Sequence, residues 1–333
     1  MTIESQQQAF KEFEREHVRV PDSENDMAKE THPEIRGFMQ EQFGSFIRSF
    51  LSGSYRRKVQ VVKLKDVDVI VVLADPEGRY ASSAGAALSD IRAVAQECSL
   101  VRSTELGVRA VKLALHGHNF TVDLVAAREP NSGEDGLLLA RHLPEKGHDD
   151  WQLLNPEGQI NAATEKNEDC GEMYIPGVRV VKFWNQREGE PLRSYHAEAI
   201  LWHALDGPVE YPELVVRFFD EAYARLAPST RTPDPGAPDA EPVDERLKDS
   251  ERSAARDKVE KARRIAHDAF EKESLEEALE LWADVFGPSF PAPSTSSEAV
   301  GDALGAGTAG IDGTGVRRGR GDKPIQARSW RRF

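Results

Sequence analysis

The sequence predicts an α+β fold in which a mixed αβ lobe is followed by a helical lobe. Short apolar segments rich in valine, near 65–73 and 108–125, have the length and β-branched composition of buried strands. Beyond residue 171 the apolar residues recur every three or four positions, which is the period of an amphipathic helix. The predicted divisions are an N-terminal extension at 1–33, the αβ lobe at 34–170, the helical lobe at 171–290 and a tail at 291–333.

Composition limits the class of protein. The chain has 333 residues, of which 39% are hydrophobic and 30% charged, and this is enough for two packed domains or one bilobal unit. Its formal net charge of −14 argues against broad capture of long nucleic acid, which depends on many Lys and Arg contacts to phosphates. This objection does not apply to small nucleotides, because Mg²⁺ already chelates their phosphates and an acidic protein can bind them in one local site. The composition therefore favours a nucleotide-consuming enzyme over a polymerase that follows a template.

No targeting or membrane segment is visible in the sequence. The first ten residues are polar, and no apolar run approaches the roughly 18 residues of a membrane span. We therefore expect a cytoplasmic protein without membrane association. The two cysteines, Cys98 and Cys170, lack the spacing of a metal site or of a disulfide framework, and we expect both to be inert.

The N-terminal extension is polar, with a predicted helix at 6–16. From residue 34 onward, apolar residues recur at spacings of four, four, three and four, which predicts one face of a helix that passes into a short strand before Gly53. These residues are Ile35, Met39, Phe43, Phe46 and Phe50. We expect the phenylalanines, Phe38 included, to lie in the core rather than to form a stacking platform for bases.

The sequence around Gly53 carries the strongest functional signal. Gly53 and Ser54 form a small turn, and the predicted strand that follows it contains Asp66 and Asp68 in an otherwise apolar run. Residues i and i+2 of a strand point to the same face, so the two carboxylates project together. Two carboxylates about 4 Å apart repel by roughly 4 kcal/mol at an effective dielectric of about 20, so such a pair favours a bound cation or proton. A pair of solvated aspartates at a strand end is the alternative explanation.

A third carboxylate, Asp123, lies in a second strand-like segment at 120–125. Another such segment precedes it at 108–115, and residues 116–119 between them have the composition of a hairpin turn. Neighbouring strands of a sheet are about 4.8 Å apart. If the strands of Asp68 and Asp123 lie side by side, three carboxylates converge beside the Gly-Ser turn.

This arrangement resembles the nucleotidyltransferase superfamily of DNA polymerase β, in which Gly-Ser is followed by Asp-x-Asp and then by a lone Asp on a neighbouring strand. Within it, the sequence Gly53-Ser54-Tyr55, with Val59 and Val61 after it, is most similar to the bacterial CD-NTases and to cyclic GMP–AMP synthase. The resemblance implies a polymerase-β-like lobe with a mixed sheet, joined to a helical second lobe.

The resemblance also implies a role for each part. Asp66 and Asp68 would bind two Mg²⁺ ions, with Mn²⁺ as a substitute, and Asp123 would bind the ion nearer the acceptor hydroxyl and assist its deprotonation. Carboxylate oxygens suit Mg²⁺, and two such ions about 3.5–4 Å apart can hold both the attacking and the leaving oxygen. Gly53 and Ser54 would let backbone N–H groups and a hydroxyl approach the β- and γ-phosphates.

The stretch between 130 and 170 reads as polar and turn-rich, after a predicted amphipathic helix at 87–98. His142, His148 and Asp149 lie in this stretch, with a spacing that matches no zinc site. We therefore expect solvated loop histidines there.

Two helices joined by a glycine-containing loop are predicted around Lys182 and after Arg193. The resemblance implies that Lys182 contacts the donor triphosphate, that Ser194 donates a hydrogen bond to a phosphate and that Tyr195 stacks on a base. The residues also fit an ordinary surface lysine, a helix cap at Ser194 and a tyrosine at a helix start. Glu198 shares a helix face with Ser194, and we assign it no catalytic role.

Five prolines predict a stiff surface connection at 227–244, followed by two helices that end near Phe286 and pack on the helical lobe. The resemblance to the CD-NTases covers about residues 35–290. The tail at 291–333 is poor in large apolar residues, which predicts disorder. Its end is basic, with seven Lys or Arg between Arg317 and Arg332. This end could bind a regulatory protein, and a solvated tail is the alternative.

The resemblance implies a Mg²⁺-dependent nucleotidyltransferase that joins NTPs (ATP, GTP or both), releases pyrophosphate and closes a cyclic di- or trinucleotide. The product would be a second messenger that activates an effector protein in bacterial antiphage (CBASS) signalling. The alternative is a template-independent nucleotidyltransferase that acts on RNA or on a protein acceptor. An RNA enzyme should carry a basic RNA-binding region, and the basic cluster of this chain is in the tail. A catalytically inactive binding protein should lack one of the three acids, and all three are present.

Overall fold

The computed structural model describes residues 3–130 and 134–291. Those from Glu4 onward belong to one compact unit, Glu4–Ala292, so the division into lobes at residue 170 stays a prediction. Within the described part of the chain, no helix combines the length and the apolar character needed to cross a membrane. The predictions for the tail concern residues 292–333, which lie outside the described residues.

The described strands form one mixed sheet. They are β1 Phe46–Ser52, β2 Asp66–Leu73, β3 Val101–Leu106, β4 Ala110–Leu115, β5 Thr121–Arg128, β6 Leu137–Leu143 and β7 His148–Leu154. The order is β1-β2-β5-β4-β3, with β6 pairing with β5 and β7 with β6. β2 and β5 are parallel, and the other pairs are antiparallel. The strand assignments at 66–73 and 120–125 and the hairpin at 116–119 are therefore confirmed.

Helices lie on the sheet and form the second half of the chain. They are α1 Gln6–Phe13, α2 Asp22–Gln42, α3 Gly53–Arg56, α4 Ala84–Ala95, α5 Pro156–Asp169, α6 Tyr174–Arg187, α7 Ser194–Ala204, α8 Tyr211–Arg225, α9 Asp249–Glu271 and α10 Leu275–Phe286. As predicted, two helices flank a glycine-containing loop after Lys182, and the last two helices pack on α8 and α6. The α+β class is confirmed.

The alternation of residues along β2 separates the two faces of the sheet. Its odd-numbered residues are buried with residues of α2 and α4, such as Ile35 and Leu88. Its even-numbered residues share the other face, where Ile70 forms a smaller core with residues of β5 and β6. Asp66 and Asp68 therefore lie on the face that α2 and α4 leave free.

The predicted helix that begins near Ile35 is wrong in its bounds. α2 begins at Asp22 and ends at Gln42, so Phe46 and Phe50 belong to β1 rather than to the helix. A backbone hydrogen bond from Phe46 N–H to the Phe43 carbonyl closes the turn between the two elements. The spacing of four and three residues continues across this turn by coincidence, since a bulge between Phe46 and Arg48 places Phe46 and Phe50 against opposite faces of the sheet.

The N-terminal segment, which the polar composition marked as an extension, is anchored by a buried aromatic residue. Phe10 of α1 is fully buried, and its ring packs against Tyr211, Trp282, Phe286 and Phe290, with centroids 4.9–5.8 Å apart. The first turns of the chain therefore complete the core between α8 and α10.

We expect Phe10→Ala to lower the free energy of unfolding by about 3–5 kcal/mol, because it removes a fully buried ring and leaves a cavity. Chemical denaturation of the variant and of Phe270→Ala measures this. Phe270 is 43% exposed and serves as the matched control, for which we expect a change below about 1 kcal/mol. Equal effects of the two substitutions would mean that α1 is not part of the core.

The turn-rich interpretation of 130–170 is wrong. Residues 137–154 form the hairpin of β6 and β7, and α5 follows, capped by the Asn155 side chain on Gly158 N–H. His142 lies on β6 and its Nδ1 is 3.0 Å from an Asp149 carboxylate oxygen on β7, so it is a paired strand histidine rather than a solvated loop histidine. Polar residues are tolerated on these strands because one face is solvated.

The prolines of the connection at 227–244 predict a surface element, but part of this connection is buried. Thr232, Asp234 and Asp244 are buried. The Asp244 carboxylate pairs with Arg252 of α9 at 2.7 Å, and both side chains are almost completely buried. Buried polar groups on an irregular segment need partners. α9 supplies one for Asp244, and α7 supplies Tyr195 for Asp234 and His196 for Thr232.

Candidate active site

The pairing of β2 with β5 places the predicted acids next to one another. The two strands run parallel, with Asp68 directly beside Asp123 and Asp66 beside Thr121. Asp66 and Asp68 share a face of β2, and Asp123 occupies the same face of the next strand because the register matches residue for residue. The convergence predicted from the sequence is confirmed at the level of the backbone.

The Gly-Ser turn lies against the carboxylate of Asp68. β1 ends at Ser52, which is paired with Asp68, and the four-residue helix α3 begins directly at Gly53. Gly53 has a φ of +63°, and a Cβ atom there would lie 1.7 Å from Asp68 Oδ2. Glycine is therefore required twice, by the left-handed backbone and by the closeness of the acid. Ser54 follows in the first turn of this helix and is partly exposed, so its hydroxyl can reach a ligand.

Two of the three acids, Asp68 and Asp123, are held in an environment that disfavours their charge. Burial, followed by repulsion from Asp66 and Asp123, raises the pKa of Asp68 to about 7. Burial also raises the pKa of Asp123 to about 6, against the attraction of Lys112. Carboxyl groups that ionise only at this cost are stabilised by a nearby cation, which favours their ionised form.

Asp123 has partners on the side of β5 away from β2. Its carboxylate is 3.4 Å from Lys112 Nζ on β4 and accepts a hydrogen bond from Thr121 Oγ1 at 3.2 Å. In keeping with this, the described residues contain no group of three His, Cys, Asp or Glu side chains arranged to hold a metal ion. The donor set still fits Mg²⁺, since three neighbouring carboxylates supply hard oxygen ligands and Gly53 leaves room beside Asp68. Joint binding would require Asp123 to exchange Lys112 for the ion.

We expect Mg²⁺ to raise the melting temperature by a few degrees more at pH 8 than at pH 6. The pKa values of Asp68 and Asp123 lie above the ordinary 3.8, so between that value and about 7 the folded protein binds more protons than the unfolded chain. The free energy of unfolding therefore falls as pH rises through this window, and Mg²⁺, which binds the ionised form, restores it. Thermal denaturation with and without Mg²⁺ at both pH values measures this. Equal gains at the two pH values would contradict it.

The structure places Lys182 in the interior, paired with Glu198. Its Nζ is 3.2 Å from Glu198 Oε1, and both side chains are buried. Burial lowers the pKa of Lys182, whereas Glu198 and, more weakly, Asp66 raise it, so Lys182 lies within electrostatic reach of the predicted metal ligands. The alternative of an ordinary surface lysine is wrong.

Tyr195 and Ser194 lie at the start of α7. The Tyr195 hydroxyl donates a 2.6 Å hydrogen bond to Asp234. Burial, and then the Asp234 carboxylate, raise its pKa well above the ordinary value, so the hydroxyl remains protonated. Ser194 is the first residue of the helix and makes no capping hydrogen bond, so the explanation of Ser194 as a cap is wrong. Its contact with a phosphate stays a prediction.

Sequence reasoning missed Arg57, which connects the Gly-Ser turn to α7. The Arg57 guanidinium donates to the Glu198 carboxylate at 3.0 Å and lies over the ring of Tyr195, 5.1 Å from its centroid. A signal was present in the sequence, because Glu198 stands in the apolar run from Ala197 to Leu201 and a buried carboxylate needs cationic partners. Which cations these are could not be read from local sequence.

Comparison with known proteins agrees with the motif and the fold. No protein-family model matches the chain. A probable cyclic AMP-AMP-GMP nucleotide synthase of Salmonella paratyphi B is 30% identical over 178 residues, which are 50% of this chain and 46% of that protein. The chain thus covers less than half of the length of that relative. A cyclic AMP-AMP-AMP synthase of an Acinetobacter strain is 24% identical over 294 residues, 78% of this chain and 80% of that protein.

Solved structures share the fold. The CD-NTase CdnG of Bradyrhizobium diazoefficiens, solved in complex with GTP, superposes with a TM-score of 0.68, covering 85% of this chain and 96% of CdnG, at 12% identity. At that identity the structural match shows the shared fold alone, whereas the matches to the cyclic-trinucleotide synthases show similarity in sequence. The resemblance read from the Gly-Ser turn and the acids is confirmed: the chain is similar in sequence to synthases of cyclic trinucleotides and similar in fold to the bacterial CD-NTases.

Proposed function

We propose that the chain is a Mg²⁺-dependent nucleotidyltransferase that joins NTPs into a cyclic di- or trinucleotide and releases pyrophosphate. The observation that carries this proposal is the parallel register of Asp68 with Asp123, with Gly53 against the Asp68 carboxylate. The names of the sequence relatives, which are synthases of cyclic trinucleotides, support the product class.

Asp66, Asp68 and Asp123 would hold the metal ions. When bound, the ions would supply charge stabilisation for the leaving pyrophosphate and activation of the acceptor hydroxyl. Asp68 lies centrally between the other two acids, and its high pKa in the absence of metal makes it the carboxylate that gains most from a cation. Asp123, in contact with Lys112 and Thr121, would orient the acceptor side of the reaction.

Other residues would position the donor nucleotide. The backbone of Gly53 and the hydroxyl of Ser54 approach the phosphates from the turn, because Gly53 carries no side chain. Lys182 and Ser194 would contact phosphate oxygens, and Tyr195, whose ring is contacted by Arg57, would stack on a base. Base stacking on an aromatic ring contributes about 1–3 kcal/mol. A related CD-NTase was solved with GTP, which supports ATP or GTP as donor.

The biological role proposed for the product is that of a second messenger, which an effector protein would sense in antiphage (CBASS) defence. The chain would work without a membrane and without a long nucleic acid. A regulatory protein is proposed to bind the basic tail.

The decisive experiment incubates purified protein with the four radiolabelled NTPs and Mg²⁺ or Mn²⁺, followed by phosphatase treatment and chromatography. We expect a phosphatase-resistant product from the wild type and none from Asp66→Ala/Asp68→Ala. The exposed Asp26 provides a matched control, and Asp26→Asn is expected to keep the activity. Label that appears only on added RNA or on a protein acceptor would instead establish the alternative transferase function.

A further inference from the structure

A buried chain of polar contacts joins two residues that are predicted to touch the nucleotide. Glu198 of α7 accepts from Lys182 Nζ at 3.2 Å and from Arg57 at 3.0 and 3.5 Å. Arg57 lies over the Tyr195 ring, and the Tyr195 hydroxyl is held by Asp234. Arg57 and Glu198 thus connect Lys182 with Tyr195, although neither is itself a predicted nucleotide contact.

These groups are unusually well removed from water. The exposed fractions of the side chains are 7% for Arg57, 3% for Glu198 and 6% for Lys182. Long flexible cations usually extend toward solvent. A lysine that is instead fixed in the interior has one position for its ammonium group, and that position is set by the carboxylate that receives it.

One carboxylate serves two cations here. Burial acts to raise the pKa of Glu198, but the charges of Arg57 and then Lys182 outweigh it, so Glu198 stays ionised. Two cations therefore share one carboxylate, and Arg57 is close enough to Asp68 to lower its pKa. Cations held beside the predicted metal ligands suit a nucleoside triphosphate, whose phosphates carry negative charge to the same place as the metal ions.

Arg57 also ties the Gly-Ser turn to the helical half of the chain. It follows α3 directly, whereas Glu198 is 141 residues later on α7. The guanidinium is planar and can contact a carboxylate and an aromatic face at the same time. The plane of the Tyr195 ring is therefore set by the same contact that fixes Glu198.

We propose that Arg57 and Glu198 are positioning residues of the donor site: their buried ion pair holds Lys182 for the triphosphate and Tyr195 for the base. This inference rests on the proposed nucleotidyltransferase function and assigns Arg57 and Glu198 no contact with the reacting atoms.

The test measures binding of the α,β-methylene analogues of ATP and GTP, each with Mg²⁺, by calorimetry, because these analogues cannot release pyrophosphate and no turnover occurs. We expect Glu198→Gln, which keeps the shape and removes the charge, to weaken the affinity by about 10- to 100-fold, as is typical when the partner of a binding residue is lost. Arg252→Gln is the matched control, because it breaks an equally buried pair with Asp244 that contacts neither Lys182 nor Tyr195. The control is expected to lower the melting temperature by as much as Glu198→Gln and to leave the affinity unchanged. Equal affinity losses, or none, would overturn the positioning role.

The pH dependence of this affinity provides a second test, in which two substitutions are expected to shift the pH profile in opposite directions. The charged groups around Lys182 are Glu198 on α7, Arg57 after α3 and Asp66 on β2. Above pH 8, where the carboxylates are ionised, binding should weaken as Lys182 loses its proton. Glu198→Gln should move this decline to lower pH, and Arg57→Gln should move it to higher pH, because the two groups act on the Lys182 pKa with opposite signs.

A purely structural ion pair, with Lys182 outside the nucleotide site, predicts that neither substitution moves the decline. An unmoved decline, or shifts in the same direction, would overturn the proposal. The binding experiment also separates the two hypotheses. If the wild type binds ATP or GTP and the variants differ as expected, yet no cyclic product forms, only the proposed function fails. If the wild type binds neither nucleotide, the positioning role is overturned as well.

Discussion

The Asp68→Asn variant is expected to lose about a thousandfold in the rate of nucleotide transfer while becoming no less stable than the wild type. Metal ions contribute several kcal/mol of transition-state stabilisation, and about 4 kcal/mol corresponds to a thousandfold in rate. Asparagine has nearly the same shape but cannot supply an anionic ligand. It also ends the repulsion from Asp66 and Asp123 and the cost of ionising a buried group, which is why stability should not fall.

Steady-state product formation and thermal denaturation of the same preparation test this expectation. Opposite effects on activity and stability exclude misfolding as the cause of the lost activity. Asp123→Asn provides a graded comparison, since it should reduce turnover more than the affinity for the donor nucleotide. An Asp68→Asn protein with near-normal turnover would rule out a metal role for this acid.

Gly53→Ala is the second substitution with a large expected effect, a loss of about 100-fold in turnover. Its Cβ would lie 1.7 Å from Asp68 Oδ2, so either the turn or the acid must move by more than an ångström. A displacement of about 1 Å at a reacting centre can cost about 100-fold in rate. The left-handed backbone adds a stability cost of about 1–2 kcal/mol for any residue with a side chain.

Gly78→Ala separates the two causes. Gly78 has a similar φ of +70°, but a Cβ there has no other atom within 4 Å. We expect Gly78→Ala to lose a similar amount of stability from the backbone and to keep its turnover. If the Gly53 variant is as active as the Gly78 variant, the close approach of turn and acid has no functional importance.

Much of the αβ region could be predicted because its signals are local. Adjacent residues are enough to predict the strand β2 and the hairpin between β4 and β5, since strand alternation and turn composition depend on short-range geometry. The bounds of the helix at 22–42 and the existence of the β6–β7 hairpin could not be predicted, because their local signals are weak. Their polar faces weaken the periodic signal, and packing against the rest of the sheet determines where they begin and end.

The sequence by itself determined the residue types of the candidate site: a glycine-serine turn, two acids on one strand face and a third on another strand. Only the tertiary structure decided that β2 and β5 pair in the register that places Asp68 beside Asp123. It also decided that Glu198 receives cations from 141 residues earlier and from the neighbouring helix. Local propensity follows from short-range sterics, which are the same for a short segment whatever the rest of the chain does. The register of strands and the choice of a buried counter-ion depend instead on which distant surfaces exclude water together, and this is settled only when the whole chain folds.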